Sequence, residues 1–143
     1  MSNFAAFMKK NKKQKPNTKY PATKSLTDEK GDPLLWTIRP LTTAQNEAIR
    51  ESCMYEVQVP GKKNQYRYQI NSAKYIVKML VASVVEPDLN NAELQDSYDV
   101  HGAEDLLKEM IDSPGEYNDF VQFVQDFNGF DATLQDETEK AKN

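Results

Sequence analysis

The sequence predicts an α+β fold, mainly α, with an N-terminal β-hairpin packed on a bundle of four to five helices. Three observations carry that expectation. Leu34, Trp36 and Ile38 alternate with Leu35, Thr37 and Arg39 directly after a turn-rich hexapeptide, the pattern of a half-buried strand. Later segments carry apolar residues at helical spacing behind recognisable caps. The chain of 143 residues, 38% of them hydrophobic, can bury one modest core.

Residues 1–18 read as a flexible basic arm, Lys9-Lys10-Asn11-Lys12-Lys13-Gln14-Lys15-Pro16, fronted by Phe4 and Phe7. A lysine cluster of this kind is usually a solvated tail. The i, i+3 spacing of the two phenylalanines places both on one face of any helical turn, which suits docking on a partner. A single globular domain is expected over residues 19–130, beginning with a hairpin over 20–41. Its strands are Tyr20 to Thr27 and Leu34 to Leu41, joined by Asp28-Glu29-Lys30-Gly31-Asp32-Pro33 and ended by Pro40.

Five helices should follow. Thr42 and Gln45 form a capping-box pair that opens a helix over about 43–56, with Ile49 and Cys53 facing inward. The segments Val57-Gln58-Val59 and Tyr66 to Ile70 flank Pro60-Gly61-Lys62-Lys63-Asn64 and fit either a second small hairpin or an irregular loop. Asn71 caps a helix over 72–85, with Ile70 and Tyr75 as a hydrophobic staple. From Met79 to Val85 it is apolar on nearly all sides, as a buried central helix would be, and Pro87 closes it. Asn90 or Asn91 opens a helix over 91–98, and Ala103, Leu106, Leu107, Met110 and Ile111 make 102–112 amphipathic. Ser113-Pro114-Gly115-Glu116 combines a cap, a first-turn proline and an acidic third residue, starting a helix over 114–128. That helix presents Tyr117, Phe120, Val121, Phe123, Val124 and Phe127. Gly129 stands at a left-handed stop with Phe130 able to fold back, and residues 131–143 read as an acidic flexible tail.

The net charge of −4 conceals a strong asymmetry. Residues 1–30 hold eight lysines against Asp28 and Glu29, a net of +6, so the remainder carries −10. From Glu86 to Glu139 there are sixteen acidic residues and one lysine, Lys108. A duplex-binding domain concentrates basic residues on its folded part, and here that part is acidic, so no nucleic-acid partner is expected. No apolar run approaches the roughly 20 residues of a membrane span, so no membrane association is expected either. The lysines follow the apolar start instead of preceding it, which argues against a secretory signal. The single Cys53 excludes an intramolecular disulfide and fits a reducing cytosol.

Catalytic and metal motifs are hard to find. His101 is the only histidine, and Cys53, on the apolar side of its helix, reads as a small buried thiol. Asp96, Asp99, His101, Glu104 and Asp105 cluster in sequence without the spacing of a metal site, and acidic residues at a helix start favour the dipole. Asp126 to Asp131 resembles a calcium loop but has glycine at the fourth position and no glutamate at the twelfth. Gly61-Lys62-Lys63 lacks the earlier glycine of a phosphate loop. The expectation is a non-enzyme without cofactor or metal. Binding is the better prospect, since a stripe as wide as Tyr117 to Phe127 can exceed what a small domain covers, and an acidic exterior suits a basic partner as well as solubility.

Over nearly its whole length the chain resembles the tail assembly chaperones of phages and prophages of Gram-positive bacteria, the contractile-tail type. The residues carrying the resemblance are Phe4 to Lys13, Asp28 to Pro33, Trp36-Thr37-Ile38-Arg39-Pro40-Leu41, Val84 to Tyr98, His101-Gly102-Ala103, Pro114-Gly115-Glu116-Tyr117, Asn128-Gly129-Phe130-Asp131 and Glu139 to Asn143. One departure is Ser25-Leu26, where the family often has a basic–aromatic pair before the acidic turn. The resemblance implies a chaperone that coats and solubilises the tape measure protein and promotes tail tube polymerisation. Its implied partners are that protein, the major tail tube protein and further copies of itself as a homo-oligomer. Its implied place is the cytoplasm of the bacterial host, not the mature virion. A structural tail or head–tail connector protein retained in the particle is the alternative, and an acidic DNA mimic a more distant one. Candidate partner-binding residues are Phe4, Phe7, Trp36, Arg39, Tyr117, Phe120 and Phe123.

Overall fold

The computed structural model describes residues 3–130, so the expected tail over 131–143 lies outside the described residues. Two short 3₁₀ turns, Asn3–Phe7 and Lys9–Asn11, lead into β1 (Thr18–Tyr20) and β2 (Trp36–Ile38). Then come α1 (Thr43–Ser52), β3 (Met54–Gln58), β4 (Tyr66–Ile70), α2 (Ser72–Ser83) and β5 (Val84–Glu86). Three helices end the described chain: α3 (Ala92–Ser97), α4 (Ala103–Met110) and α5 (Pro114–Phe127). The class is α+β and mainly α.

The N-terminal hairpin exists, but its strands are shorter than the alternation suggests and a third strand joins it. β1 pairs antiparallel with β2 in the register Thr18↔Ile38, Lys19↔Thr37 and Tyr20↔Trp36. Pro21 follows at once and has no N–H to donate, so the ladder stops there instead of running to Thr27. The connecting turn is built on Asp28, whose Oδ1 accepts from the Lys30 and Asp32 amides at 2.8 and 3.0 Å, while Gly31 takes φ +85°. β5 pairs antiparallel with the other edge of β2 through Thr37↔Glu86 and Ile38↔Val84, with a register shift between the two pairs. The sequence reading made Val84 and Val85 the end of a helix. Two adjacent β-branched residues ahead of Pro87 prefer extended backbone, and the open edge of β2 supplies the partner. Leu34, expected on the apolar face, lies outside β2 and is exposed.

Inner-face residues of this sheet meet α2, α4 and α5. The core comprises Trp36, Ile38, Val77, Met79, Leu80, Leu106, Leu107, Phe120 and Val124 with their neighbours. On the outer face Lys19, Thr37 and Glu86 lie abreast on the three strands; Lys19 Nζ donates to Thr37 Oγ1, and Lys19 and Glu86 form an ion pair at 4.0 Å.

Capping follows the sequence closely with one exception. Thr42 and Gln45 complete both halves of a capping box, at 3.1 and 2.9 Å. Asn71 and Asn91 accept from the Lys74 and Leu94 amides at 3.1 and 2.8 Å. α5 ends in a Schellman motif: the Phe130 amide donates to the Gln125 carbonyl (3.0 Å), the Gly129 amide donates to Asp126 (3.1 Å), and Gly129 sits at φ +81°. The exception is Ser113, which makes no side-chain cap. α1 stops at Ser52, short of the expected Glu56, because the chain turns at Cys53 into β3. β3 and β4 pair from Met54↔Ile70 to Gln58↔Tyr66, so the segment left open between hairpin and loop is a hairpin.

Candidate functional site

The longest-range contacts gather along α5. Tyr20, at the end of β1, stacks on Phe123 with ring centroids 4.1 Å apart and on Phe120 at 5.6 Å. Trp36 meets Phe120 edge-on at 6.0 Å, and Phe123 stacks on Phe127 at 6.0 Å. Lys15 extends the row: its ammonium lies 4.2 Å from the Phe127 ring centroid and donates to the Phe127 carbonyl at the negative end of the helix. Burial and the nearby Asp119 and Glu116 carboxylates push the Tyr20 hydroxyl above its usual pKa, and burial does the same to Tyr117.

At the other end of α5, Glu116 reaches across to the segment after β1. Its carboxylate accepts from the Lys24 amide at 2.7 Å and from the buried Thr23 hydroxyl at 2.8 Å. These bonds, with the Lys24 charge, hold the Glu116 carboxyl below its ordinary pKa. The sequence placed Glu116 as the acidic third residue of the α5 start; the fold gives it these distant partners as well. Asn128 adds a further tie, accepting from the Leu41 amide at 2.7 Å.

The expected site residues therefore separate. Trp36 and Phe120, 2% and 0% exposed, belong to the core and present no surface. Tyr117 and Phe123 are half-buried. Arg39 is bound to the fold, its Nε donating to the Ala82 carbonyl at 2.6 Å beyond the edge of the sheet. Phe4 and Phe7 stand apart from the core, 73% and 86% exposed in the first 3₁₀ turn, where i and i+3 eclipse. Leu26, part of the departure from the family pattern, packs against the core.

Two surfaces were not named by the sequence reading. The first is on the β3–β4 hairpin, a segment left open between hairpin and loop, which exposes Met54, Tyr55, Tyr66 and Tyr68. Its register sets Met54, Ile70, Tyr66 and Tyr68 on one face. The alternation of Tyr66-Arg67-Tyr68 was the available signal. The second is a cleft of about 570 Å³ between the start of α2, the end of α4 and the start of α5. Ala73, Ile76, Ile111, Pro114 and Tyr117 supply its apolar lining, with Lys108 and Asp112 beside them. No sequence signal joins these three helix ends. Cys53 is buried, and among the described residues no group of three or more His, Cys, Asp or Glu side chains is placed to hold a metal ion. Among the described residues no helix is long and apolar enough to cross a membrane.

The family model of the phage XkdN-like tail assembly chaperone proteins matches residues 4–142. The chain belongs to this chaperone family. Among relatives, the phage-like element PBSX protein XkdN of Bacillus subtilis (strain 168) is 24% identical over 125 residues, covering 87% of this chain and 83% of the relative. The uncharacterized protein YqbN of the same organism is 26% identical over 124 residues, covering 86% and 81%. The crystal structure of YqbN superimposes with a TM-score of 0.73 at 18% identity, covering 92% of this chain and 99% of that one, so the fold is shared. The family assignment expected from Phe4 to Lys13 and the later motifs therefore holds.

Proposed function

We propose that this chaperone binds the phage tape measure protein, keeps it soluble and promotes polymerisation of the tail tube around it. It does so without catalysis, in the cytoplasm of the bacterial host, and leaves before the virion is complete. The observation that carries the reading is the family match over residues 4–142, almost the full chain. The surface chemistry suits it. Exposed apolar groups on the arm and on the β3–β4 hairpin can cover apolar faces of a client, and the acidic helical side can engage a client's basic segments.

Co-expression with the tape measure protein encoded nearby tests the proposal. The client is expected to become soluble only in the presence of this chain and to co-elute with it on a sizing column. Absence of co-elution, together with this chain at fixed stoichiometry in purified virions by mass spectrometry, would establish the structural tail or connector alternative instead.

A further inference from the structure

The β3–β4 hairpin is a sheet of its own, so each of its strands has one side that pairs with no other strand among the described residues. The ladder fixes which backbone groups lie there. The Asn71 amide donates to the Cys53 carbonyl and the Val59 amide to the Gln65 carbonyl, both at 2.8 Å, just beyond the two ends of the ladder. Hydrogen-bonded and non-hydrogen-bonded pairs alternate along an antiparallel ladder. Tyr55↔Gln69 and Val57↔Arg67 therefore turn their backbone groups inward. Tyr66, Tyr68 and Ile70 of β4, and Met54, Glu56 and Gln58 of β3, turn theirs outward. Such a row of outward donors and acceptors is a template for a further strand.

The two edges differ in charge. Residues 54–70 hold Lys62, Lys63 and Arg67 against Glu56, a net of +2 inside a stretch, 31–143, that sums to −10. Arg67 is on β4 and the lysines are in the turn that precedes it, whereas the carboxylate is on β3. The only ion pair among the described residues is Lys19 with Glu86, so these three cations have no carboxylate partner there. Period-two alternation sorts the side chains of β4. Tyr66 and Tyr68, 60% and 67% exposed, share one face with Met54, and Arg67 stands on the other. A strand laid along β4 repeats that alternation, with apolar residues on the tyrosine face and acidic residues on the arginine face. A second β4 edge would set Arg67 and the lysine turn against their own kind, so the occupant is a different chain.

We propose that an extended client segment, alternating acidic and apolar residues over about the five residues of β4, adds as a third strand to its outer edge. The backbone of Tyr66, Tyr68 and Ile70 supplies the hydrogen bonds, and the tyrosine rings cover the apolar side chains. Arg67, Lys62 and Lys63 attract the carboxylates and select against basic segments. The inference deepens the chaperone reading and rests on it in one respect, that the segment belongs to the client. Its test uses a peptide, so failure here leaves the co-expression result to decide that reading alone.

The experiment titrates the full chain into a fluorescein-labelled dodecapeptide of alternating glutamate and valine, followed by anisotropy, with amide hydrogen exchange of the protein read by NMR. Binding should saturate. The Tyr66, Tyr68 and Ile70 amides should exchange fast in the free chain and be protected at saturation. Arg67→Glu should weaken binding by about tenfold or more. Tyr68→Pro should do the same, because it deletes an outward N–H at an edge position where proline is tolerated. Both replace exposed residues, and circular dichroism checks the fold. A peptide of the same composition, shuffled to break the alternation, should also bind about tenfold more weakly. Five results would overturn the proposal. These are no saturable binding; equal affinity for the shuffled peptide; or binding unchanged by Arg67→Glu, which would place the peptide on the lysine arm. The others are protection of the three amides in the free chain that rises with concentration, which would seat a second copy there, and tighter binding of a single-stranded DNA dodecamer at the same amides.

Discussion

Two halves of the molecule differ sharply in how they are held. The first comprises the β1–β2–β5 sheet with α2, α4 and α5, and it owns nearly all the buried side chains. The second is residues 43–70, α1 with the β3–β4 hairpin, where Cys53 is the only buried residue. The first is stabilised by burial of apolar surface from chain segments far apart in sequence. The second depends on local bonds: a capping box, a five-pair ladder and an Asn71 amide bonded to the Cys53 carbonyl at 2.8 Å. Tyr75 adds a tether from α2 by donating its hydroxyl to Asn46. A lone two-stranded hairpin is marginal in water, and its exposed Met54, Tyr66 and Tyr68 gain little from folding.

The sharpest way to break this contrast is Phe120→Ala. Phe120 is fully buried and touches Trp36 and Tyr20, so its loss should cost about 3–5 kcal/mol in urea unfolding. A cost below about 1 kcal/mol would mean that the α5 seam does not hold the first half together. In the second half, Thr42→Ala removes one arm of the capping box from a helix without a buried residue. Unfolding should be easier by about 1 kcal/mol, and the α1 amides should lose hydrogen-exchange protection ahead of those of α5.

Glu116 sharpens the comparison through pH. Its folded pKa lies below the ordinary 4.5, so its stabilising contribution is present above that value and is lost as pH falls through the folded pKa. Glu116→Gln should therefore be less stable than wild type at neutral pH, and the two melting curves should converge below about pH 4.5. Parallel curves down to pH 3 would remove Glu116 as the source. The smallest effect belongs to the hairpin: Tyr68→Ala, at an exposed position, should change stability by less than about 0.5 kcal/mol. A larger loss would show that the hairpin face packs on something in solution.

Much of this protein could be read from its residues because the signals are local. In Thr42-Thr43-Ala44-Gln45 the two capping-box partners meet within one helical turn, as do Asn71 with Lys74 and Gly129 with Asp126, so the caps and stop are written in nearby residues. The class, the hairpin turn at Asp28 and the apolar stripe of α5 follow for the same reason. The family was legible through the order of short motifs from Phe4 to Asn143.

Tertiary structure decided what depends on distant partners. Val84 and Val85 became a strand because β2 had an open edge, which no helical period reveals. Trp36 and Phe120 went to the core while Phe4 and Phe7 stayed outside, although all four are aromatic residues in apolar patterns. Glu116, in the first turn of α5, bonds to Thr23 and Lys24, more than ninety residues away. The cleft arises only where three helix ends converge. Local periodicity specifies which face of an element is apolar, but which faces are covered is settled by the packing of the whole chain, and that remainder is the surface left for binding.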